Sequence, residues 1–260
     1  MLRSIPWRFA ALCLGLVLIA AASFGWYRAS HAPAADHAAL DAQLANAGIT
    51  PDRRAAIEGL VRAYILDHPE ILPEAMDRLQ AREAEERLKP VRAALETPFP
   101  GAVLGNPQGR VTLVEFTDFA CTYCRSSVAD IAALIAANPD LRVVLRELPI
   151  IAPESEPAAR MGLAAAAQGR FAAYHDAMFS GPRPSAASID AAAARAGLNL
   201  DTARAFARRD DVSHEIATNL GYARQLGISG TPAFAIGGRI IAGAVGRDAL
   251  QDAVNAARKG

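Results

Sequence analysis

The stretch Val111-Thr112-Leu113-Val114-Glu115-Phe116 is β-rich, and after four intervening residues it meets Cys121-Thr122-Tyr123-Cys124 at the start of a helical pattern lasting to about residue 137. Residues 141 to 145 form a second β-rich run. Strand, helix and strand in that order close into a βαβ unit whose strands lie side by side and parallel. Further along, residues 233 to 236 and 239 to 242 flank Gly237-Gly238, the signature of a two-residue hairpin. A closing helix is expected over about residues 247 to 258. Between these parts, residues 155 to 226 show no strand pattern, are rich in Ala and carry helix stops at Gly169, Gly181, Gly197 and Gly227. They are expected to form four or five inserted helices. The expected fold class is α/β: βαβ, a helical insertion, then ββα.

Composition supports a packed protein, because 52% hydrophobic and 21% charged residues is too apolar for disorder. Lys+Arg and Asp+Glu stand at 27 each, and no basic stripe offers a footprint for nucleic acid, so no such partner is expected. At the N-terminus, Arg3 and Arg8 precede an apolar run over residues 9 to 27, with Ala20-Ala21-Ala22 as small residues for cleavage. That is a signal-peptide pattern. Its length also suits an uncleaved membrane anchor with Phe24, Trp26 and Tyr27 at the interface. Residues 1 to 28 are therefore expected to be a signal peptide or an anchor. Either one places the bulk of the chain outside the cytoplasm, in the periplasm or an equivalent compartment. Cys13 is read as a small apolar residue of this leader.

Residues 29 to 36 read as a linker and 37 to 95 as an N-terminal helical region. Thr50-Pro51 supplies an N-cap followed by proline at the first helical position. Ile57, Leu60, Val61, Tyr64 and Ile65 then fall on one helix face. Asp67 is expected to cap a further helix that carries Leu72, Met76 and Leu79. That helix turns charged over residues 80 to 89, where Arg82–Glu86 and Glu83–Arg87 are spaced four apart. A region this small buries little by itself, so its apolar stripes pack on the monomer or on another copy. The favoured reading is an oligomerisation stalk, making a homo-oligomer through residues 37 to 95. The second domain is expected over residues 100 to 260, with its insertion at about 155 to 226.

With Cys13 set aside, two cysteines remain, three apart. The five histidines, His31, His37, His68, His175 and His214, are not spaced to complete a metal site with them, and neither a metal nor a cofactor is expected. A thiol attacks only as its thiolate. At a helix N-terminus, Cys121 faces unsatisfied N–H groups and the positive end of the helix dipole, which marks it as the exposed, attacking sulfur. Cys124 lies one turn on, on the same face and within disulfide reach, where it can resolve a mixed disulfide. A lone CxxC pair at a strand–helix junction of an exported chain therefore points to thiol–disulfide chemistry.

Glu115-Phe116-Thr117-Asp118-Phe119-Ala120-Cys121-Thr122-Tyr123-Cys124-Arg125 resembles the active-site stretch of the DsbA-like branch of the thioredoxin superfamily. Gly230-Thr231-Pro232-Ala233-Phe234 resembles the cis-proline loop of that superfamily, and a helical insertion between the two motifs is also what that branch has. Residues 61 to 79, with Asp67-His68-Pro69-Glu70-Ile71-Leu72, are similar to the N-terminal region of the suppressor-of-copper-sensitivity C type proteins. The resemblance implies a thioredoxin-like fold with an inserted helical subdomain, preceded by an N-terminal helical region. It implies a cis peptide at Thr231–Pro232 facing the CxxC and presenting Thr231's backbone to a bound peptide. Thr122, Tyr123, Thr231 and Pro232 then belong to the substrate-binding surface. Glu115, six residues before Cys121, falls where this branch has a buried acid that can take the proton of Cys124 through water. The rival reading of Glu115 is a surface residue on an edge strand, and His175 is read as packing or surface.

Thr122-Tyr123 lacks the histidine of strongly oxidising members, and a less stabilised thiolate makes a less oxidising couple. The expected activity is therefore protein disulfide isomerase or reductase, acting on cysteine-bearing protein substrates with a membrane redox partner. A DsbA-type dithiol oxidase is the alternative. A second is a copper-binding or copper-tolerance protein using the same two thiolates, soft ligands suited to Cu(I).

Overall fold

The computed structural model describes residues 34 to 259, so the expected leader and Cys13 lie outside the described residues. The chain divides into two compact units between Pro73 and Glu74. In the first, helix α1 spans Ala34–Asn46 and α2 spans Pro51–Asp67. Thr50 Oγ1 accepts the amide of Arg53 at 3.4 Å and Pro51 opens the helix, as its sequence predicts. No residue of α2 is buried. Asp67 is the last residue of α2 and α3 begins at Ile71, so Asp67 does not cap the next helix. The turn through Pro69 and Glu70 starts α3 instead, with the amide of Ile71 bonded to His68 O at 3.2 Å.

The second unit starts inside α3 (Ile71–Leu88), earlier than the boundary near residue 100 that the sequence suggests. The reason lies in the charged stretch: Ala84 and Leu88, four apart, are buried, as is Leu95 of the short helix α4 (Arg92–Leu95). Flanking charges hid that one-sided stripe. The unit continues with β1 (Val103–Gly105), β2 (Val111–Thr117), α5 (Thr122–Ala137) and β3 (Leu141–Glu147). Five inserted helices follow, α6 (Ser155–Ala167), α7 (Phe171–Ser180), α8 (Ala186–Arg195), α9 (Leu200–Ala207) and α10 (Asp210–Leu226). The chain then forms β4 (Ala233–Ile236), β5 (Arg239–Ala242) and α11 (Arg247–Ala257).

The sheet order is β1-β3-β2-β4-β5. Strands β2 and β3 are parallel, as the βαβ pattern requires, while β4 runs antiparallel to β2 and β5 antiparallel to β4. Gly237 and Gly238 both adopt positive φ, which a two-residue hairpin turn of this kind demands. Gly227 ends α10 in the left-handed conformation, where a side chain is strained. The edge strand β1, three residues paired antiparallel with β3, was not foreseen; so short a run carries no alternation.

Strand period 2 sorts the core. Leu113, Val143, Leu145 and Phe234 face Ile131 and Leu134 of α5, Leu163 of α6 and Val254 of α11. Val114, Phe116 and Val144 face the other way, toward Leu88, Leu95 and Leu226. Each of these buried side chains contributes roughly 1.5–3 kcal/mol. Arg146, on the second face, is 2% exposed. Its guanidinium donates to Leu95 O at 2.8 Å, Ala94 O at 2.7 Å and Thr97 O at 2.5 Å, and pairs with Glu215 at 2.7 Å. It thereby ties the segment around α4 to β3 and α10. Arg146→Ala leaves those carbonyls and Glu215 without their cation, and is expected to cost about 3–5 kcal/mol, read from the urea midpoint.

Candidate active site

Because β2 and β4 are antiparallel, β2 leaves the sheet at the end where β4 enters it. The register Phe116↔Ala233 therefore brings the loop after β2, carrying the CxxC, to the loop before β4, carrying Thr231–Pro232. That peptide is cis, as the resemblance implies. The Cys121 thiol donates to Thr231 O at 3.1 Å. Cys121 is also the N-cap of α5, its sulfur accepting the amide of Cys124 at 3.4 Å.

The site is more covered than expected. Cys121 is 5% exposed and Cys124 1%, because the Thr231 carbonyl lies against the first sulfur. Tyr123, by contrast, is 69% exposed, and Thr122 beside it is exposed as well. Thr231 and Pro232 are buried, presenting edge rather than bulk. A mainly apolar cleft beside them is lined by Ile228, Gly230, Thr231, Pro232, Ile240 and Ala242.

Asp118, which sequence reasoning passed over, fixes the loop. Its carboxylate is buried and accepts the amides of Ala120 at 2.8 Å, Ile150 at 2.8 Å and Ile151 at 2.9 Å. The loops after β2 and β3 are thus stapled together directly under Cys121. The insertion is tied to the same helix start: Arg125 donates to Gly181 O at 2.8 Å and to Phe179 O, and Arg183 to Ala120 O at 3.3 Å. His175 is buried against Phe119, Phe171 and Phe179, so its role here is packing.

Glu115 sits in mid-sheet between β3 and β4, paired with Leu145 and Phe234. It is buried, which overturns the edge-strand surface reading. Burial pushes its carboxyl up to about 8. The Cys124 thiol is raised as well, first by burial and then by the charges of Cys121 and Glu115, with a hydrogen bond to the Asp118 backbone partly offsetting them. Two further polar side chains escaped the sequence reading, Thr117 and Glu147, both fully buried on the two parallel strands. The signal was available: Glu115 and Thr117 continue the inward-facing odd positions of β2, and Glu147 those of β3. Among the described residues no group of three or more His, Cys, Asp or Glu is placed to hold a metal ion, and no helix is long and apolar enough to cross a membrane.

Known proteins fit this geometry. The DSBA-like thioredoxin domain matches residues 112–255, and the copper resistance protein ScsC N-terminal domain matches residues 54–86. A thioredoxin-like oxidoreductase from Silicibacter pomeroyi is 37% identical with a TM-score of 0.63, over 65% of this chain and 98% of that one. A linker-deletion mutant of Proteus mirabilis ScsC is 28% identical with a TM-score of 0.62, over 81% of this chain and 97% of that one. A periplasmic thioredoxin-like protein from Salmonella enterica serovar Typhimurium is 29% identical with a TM-score of 0.57, over 65% and 97%. The chain spans about a quarter of the length of the curated relatives it matches, such as the Na(+)/H(+) antiporter NhaA 3 of Salinispora tropica, 33% identical over 160 residues, 60% of this chain and 24% of that protein. With a thioredoxin-like fold, a CxxC at a helix N-terminus and a facing cis-proline, the chain belongs to the DSBA-like thioredoxin domain family of thiol–disulfide oxidoreductases, with ScsC-like helices at its N-terminus.

Proposed function

We propose that the chain works outside the cytoplasm as a protein disulfide isomerase or reductase. The observation that carries this reading is the sparse donor set on Cys121. Among the described residues its sulfur accepts one amide, that of Cys124, and the exposed side chains of Thr122 and Tyr123 give it no hydrogen bond. A reduced form with little extra stabilisation makes a weak oxidant. In the forward step the Cys121 thiolate attacks one sulfur of a substrate disulfide. That S–S bond breaks, its other sulfur leaves as a thiolate, and a mixed disulfide forms. Return attack by a different substrate thiolate completes isomerisation and frees Cys121. Alternatively Cys124 gives its proton to the Glu115 carboxylate and attacks the Cys121 sulfur. The substrate then leaves reduced by two electrons, and the Cys121–Cys124 disulfide awaits two electrons from a membrane redox partner. The cleft beside Thr231 and Pro232 suits an extended apolar peptide, its backbone pairing with Thr231. Purified protein is expected to reactivate scrambled ribonuclease and reduce insulin, with a reduction potential below about −200 mV. A potential near about −120 mV, that of a strong oxidant, would reassign it as an oxidase.

The N-terminal helices are proposed to join copies of the chain. Leu60 is 70% exposed and Tyr64, one turn on, 55%, an apolar stripe that a soluble monomer rarely leaves open. Leu60→Asp combined with Tyr64→Asp is expected to convert an oligomer to a monomer in light scattering, and a monomeric parent protein would remove the proposal. A Cu(I) role for the two thiolates is the second reading, favoured by the match of residues 54–86 to a copper resistance protein's N-terminal domain. It requires Cu(I) uptake by the reduced protein that a Cys121→Ala, Cys124→Ala variant lacks.

A further inference from the structure

The segment joining β3 to α6, residues 148 to 154, is pinned along its backbone while it displays two large apolar side chains. Leu148 N donates to Thr117 O at 2.8 Å, and Ala152 N donates to Ser155 Oγ at 3.1 Å. Between them the amides of Ile150 and Ile151 both go to Asp118 Oδ2, at 2.8 and 2.9 Å. Pro149 has no N–H to satisfy. Every backbone donor from residue 148 to 152 is therefore committed, and the loop keeps one shape without help from its side chains. Ile150 is nevertheless 43% exposed and Ile151 45%. Polar residues at both positions would leave all of these hydrogen bonds in place, so the loop's own structure does not ask for isoleucine.

Their place in the fold does. Strands β2 and β3 are parallel with Thr117 opposite Glu147, so the loops that follow them leave the same end of the sheet. Strand β4 begins and β5 ends there too, since Ala233 pairs with both Phe116 and Ala242. Beyond residue 100, the large hydrophobic residues left exposed among the described residues are Tyr123, Ile150, Ile151 and Val245. Tyr123 follows β2, the isoleucines follow β3 and Val245 follows β5, so all four gather at the end that carries Cys121. Apolar residues scattered singly over a surface carry no message. Four gathered around a reactive sulfur do.

The strand order β3-β2-β4 sets the loop that carries Cys121 between the other two. The cis-proline cleft lies on one flank, and the Ile150–Ile151 shelf lies on the other, held by Asp118 three residues before Cys121. Because Cys121 is 5% exposed, a disulfide reaches its sulfur only when the chain bearing it presses onto those flanks. The shelf offers two branched hydrocarbon side chains whose backbone donors are already committed, so a partner gains there by burying apolar surface. The pinned backbone removes the ordering cost that a mobile loop would add on binding.

We propose that Ile150 and Ile151 form a second substrate subsite, on the flank of Cys121 away from the cis-proline, that selects cysteines flanked by large apolar side chains. Folded proteins keep most such segments inside, so the chemistry fits a non-native chain whose core residues are still exposed. This names the substrate class of the proposed activity, and it rests on the reading that the Cys121 thiolate attacks a substrate disulfide.

The test uses two short peptides, each a symmetric disulfide-linked dimer, that differ only beside the cysteine: one carries Leu and Phe there, the other Ser and Gly. Attack of the Cys121 thiolate on either sulfur breaks the peptide S–S bond and forms a mixed disulfide. The second peptide leaves as its thiolate, and its appearance is timed by quenched flow with the reduced full chain. The parent is expected to react faster with the apolar dimer. Ile150→Ser combined with Ile151→Ser should lower that preference about tenfold, the effect of losing two partly buried side chains from a contact. Ile150→Val combined with Ile151→Val, still branched and apolar, should keep most of it. An unchanged ratio of the two rates in the serine variant, whether or not both reactions slow, overturns the proposal. Equal rates with both dimers in the parent overturn it without any variant, while the attack by Cys121 stands. A parent that reacts with neither dimer removes that attack, and the subsite with it.

Discussion

Replacing Glu115 with glutamine is expected to raise the stability of the protein while slowing its resolving step. The carboxyl is pushed by burial from an ordinary value of 4.5 to about 8, so between those two values the folded chain holds a proton that the unfolded chain has lost. Stability then falls with rising pH, because the native state binds more protons than the denatured one. The contribution is fully present below the unfolded value and is lost as pH climbs through about 8. At neutral pH the penalty amounts to about 3 kcal/mol, which Glu115→Gln escapes. The urea midpoints of parent and variant should therefore lie close at pH 4.5 and separate steadily toward pH 8. A gap independent of pH would show that the carboxyl does not titrate as its burial demands. The chemistry moves the other way. An amide cannot accept a proton, so closure of the Cys121–Cys124 disulfide should slow about a hundredfold, the ordinary worth of a placed general base. Gain in stability with loss in rate is the mark of a group retained for function.

The parts of the molecule that obey a local rule were legible in the sequence. The βαβ unit, the hairpin at Gly237-Gly238, the N-cap of α2 and the helix stop at Gly227 follow from period, capping and backbone freedom. Those rules act over a few residues, and the structure respects each of them. The misses share a different physics. Residues 74 to 95 join the larger unit through Ala84, Leu88 and Leu95, a stripe drowned by neighbouring charge and made visible only by the surface it meets. Arg146 reads as a polar interruption of a strand until its carbonyl partners around α4, some fifty residues away in sequence, are known. The site divides along the same line. The CxxC and the proline loop were local motifs, and their juxtaposition came from the resemblance. Asp118, Thr117 and Glu147 escaped notice because an acid or hydroxyl near a strand end is usually solvated. What buries them is the pairing of β2 with β3 and the helices packed over that pair, a long-range event.

Cys121→Ser is expected to show the largest effect of any single change, dropping both isomerase and reductase turnover to the uncatalysed background. A serine hydroxyl does not ionise in this range, and no other sulfur at the site meets a substrate: Cys124 is 1% exposed and its thiol is held protonated by burial. Cys124→Ser should behave differently, and the difference carries the functional argument. Its Cys121 can still attack, because the N-cap bond it accepts comes from the backbone amide of residue 124, which the substitution keeps. Without a resolving sulfur the mixed disulfide persists and should accumulate on non-reducing gels as covalent adducts of the chain with its substrates. Reduction of insulin needs the second cysteine and should disappear. Isomerisation needs Cys121 and a substrate thiol, so reactivation of scrambled ribonuclease should survive in part. If Cys124→Ser loses both activities equally, every productive turnover passes through the Cys121–Cys124 disulfide, and the protein is a reductase or oxidase rather than an isomerase. A retained fraction of isomerase activity in that variant means instead that substrates escape by their own thiols, and that Cys124 serves to release those that stall.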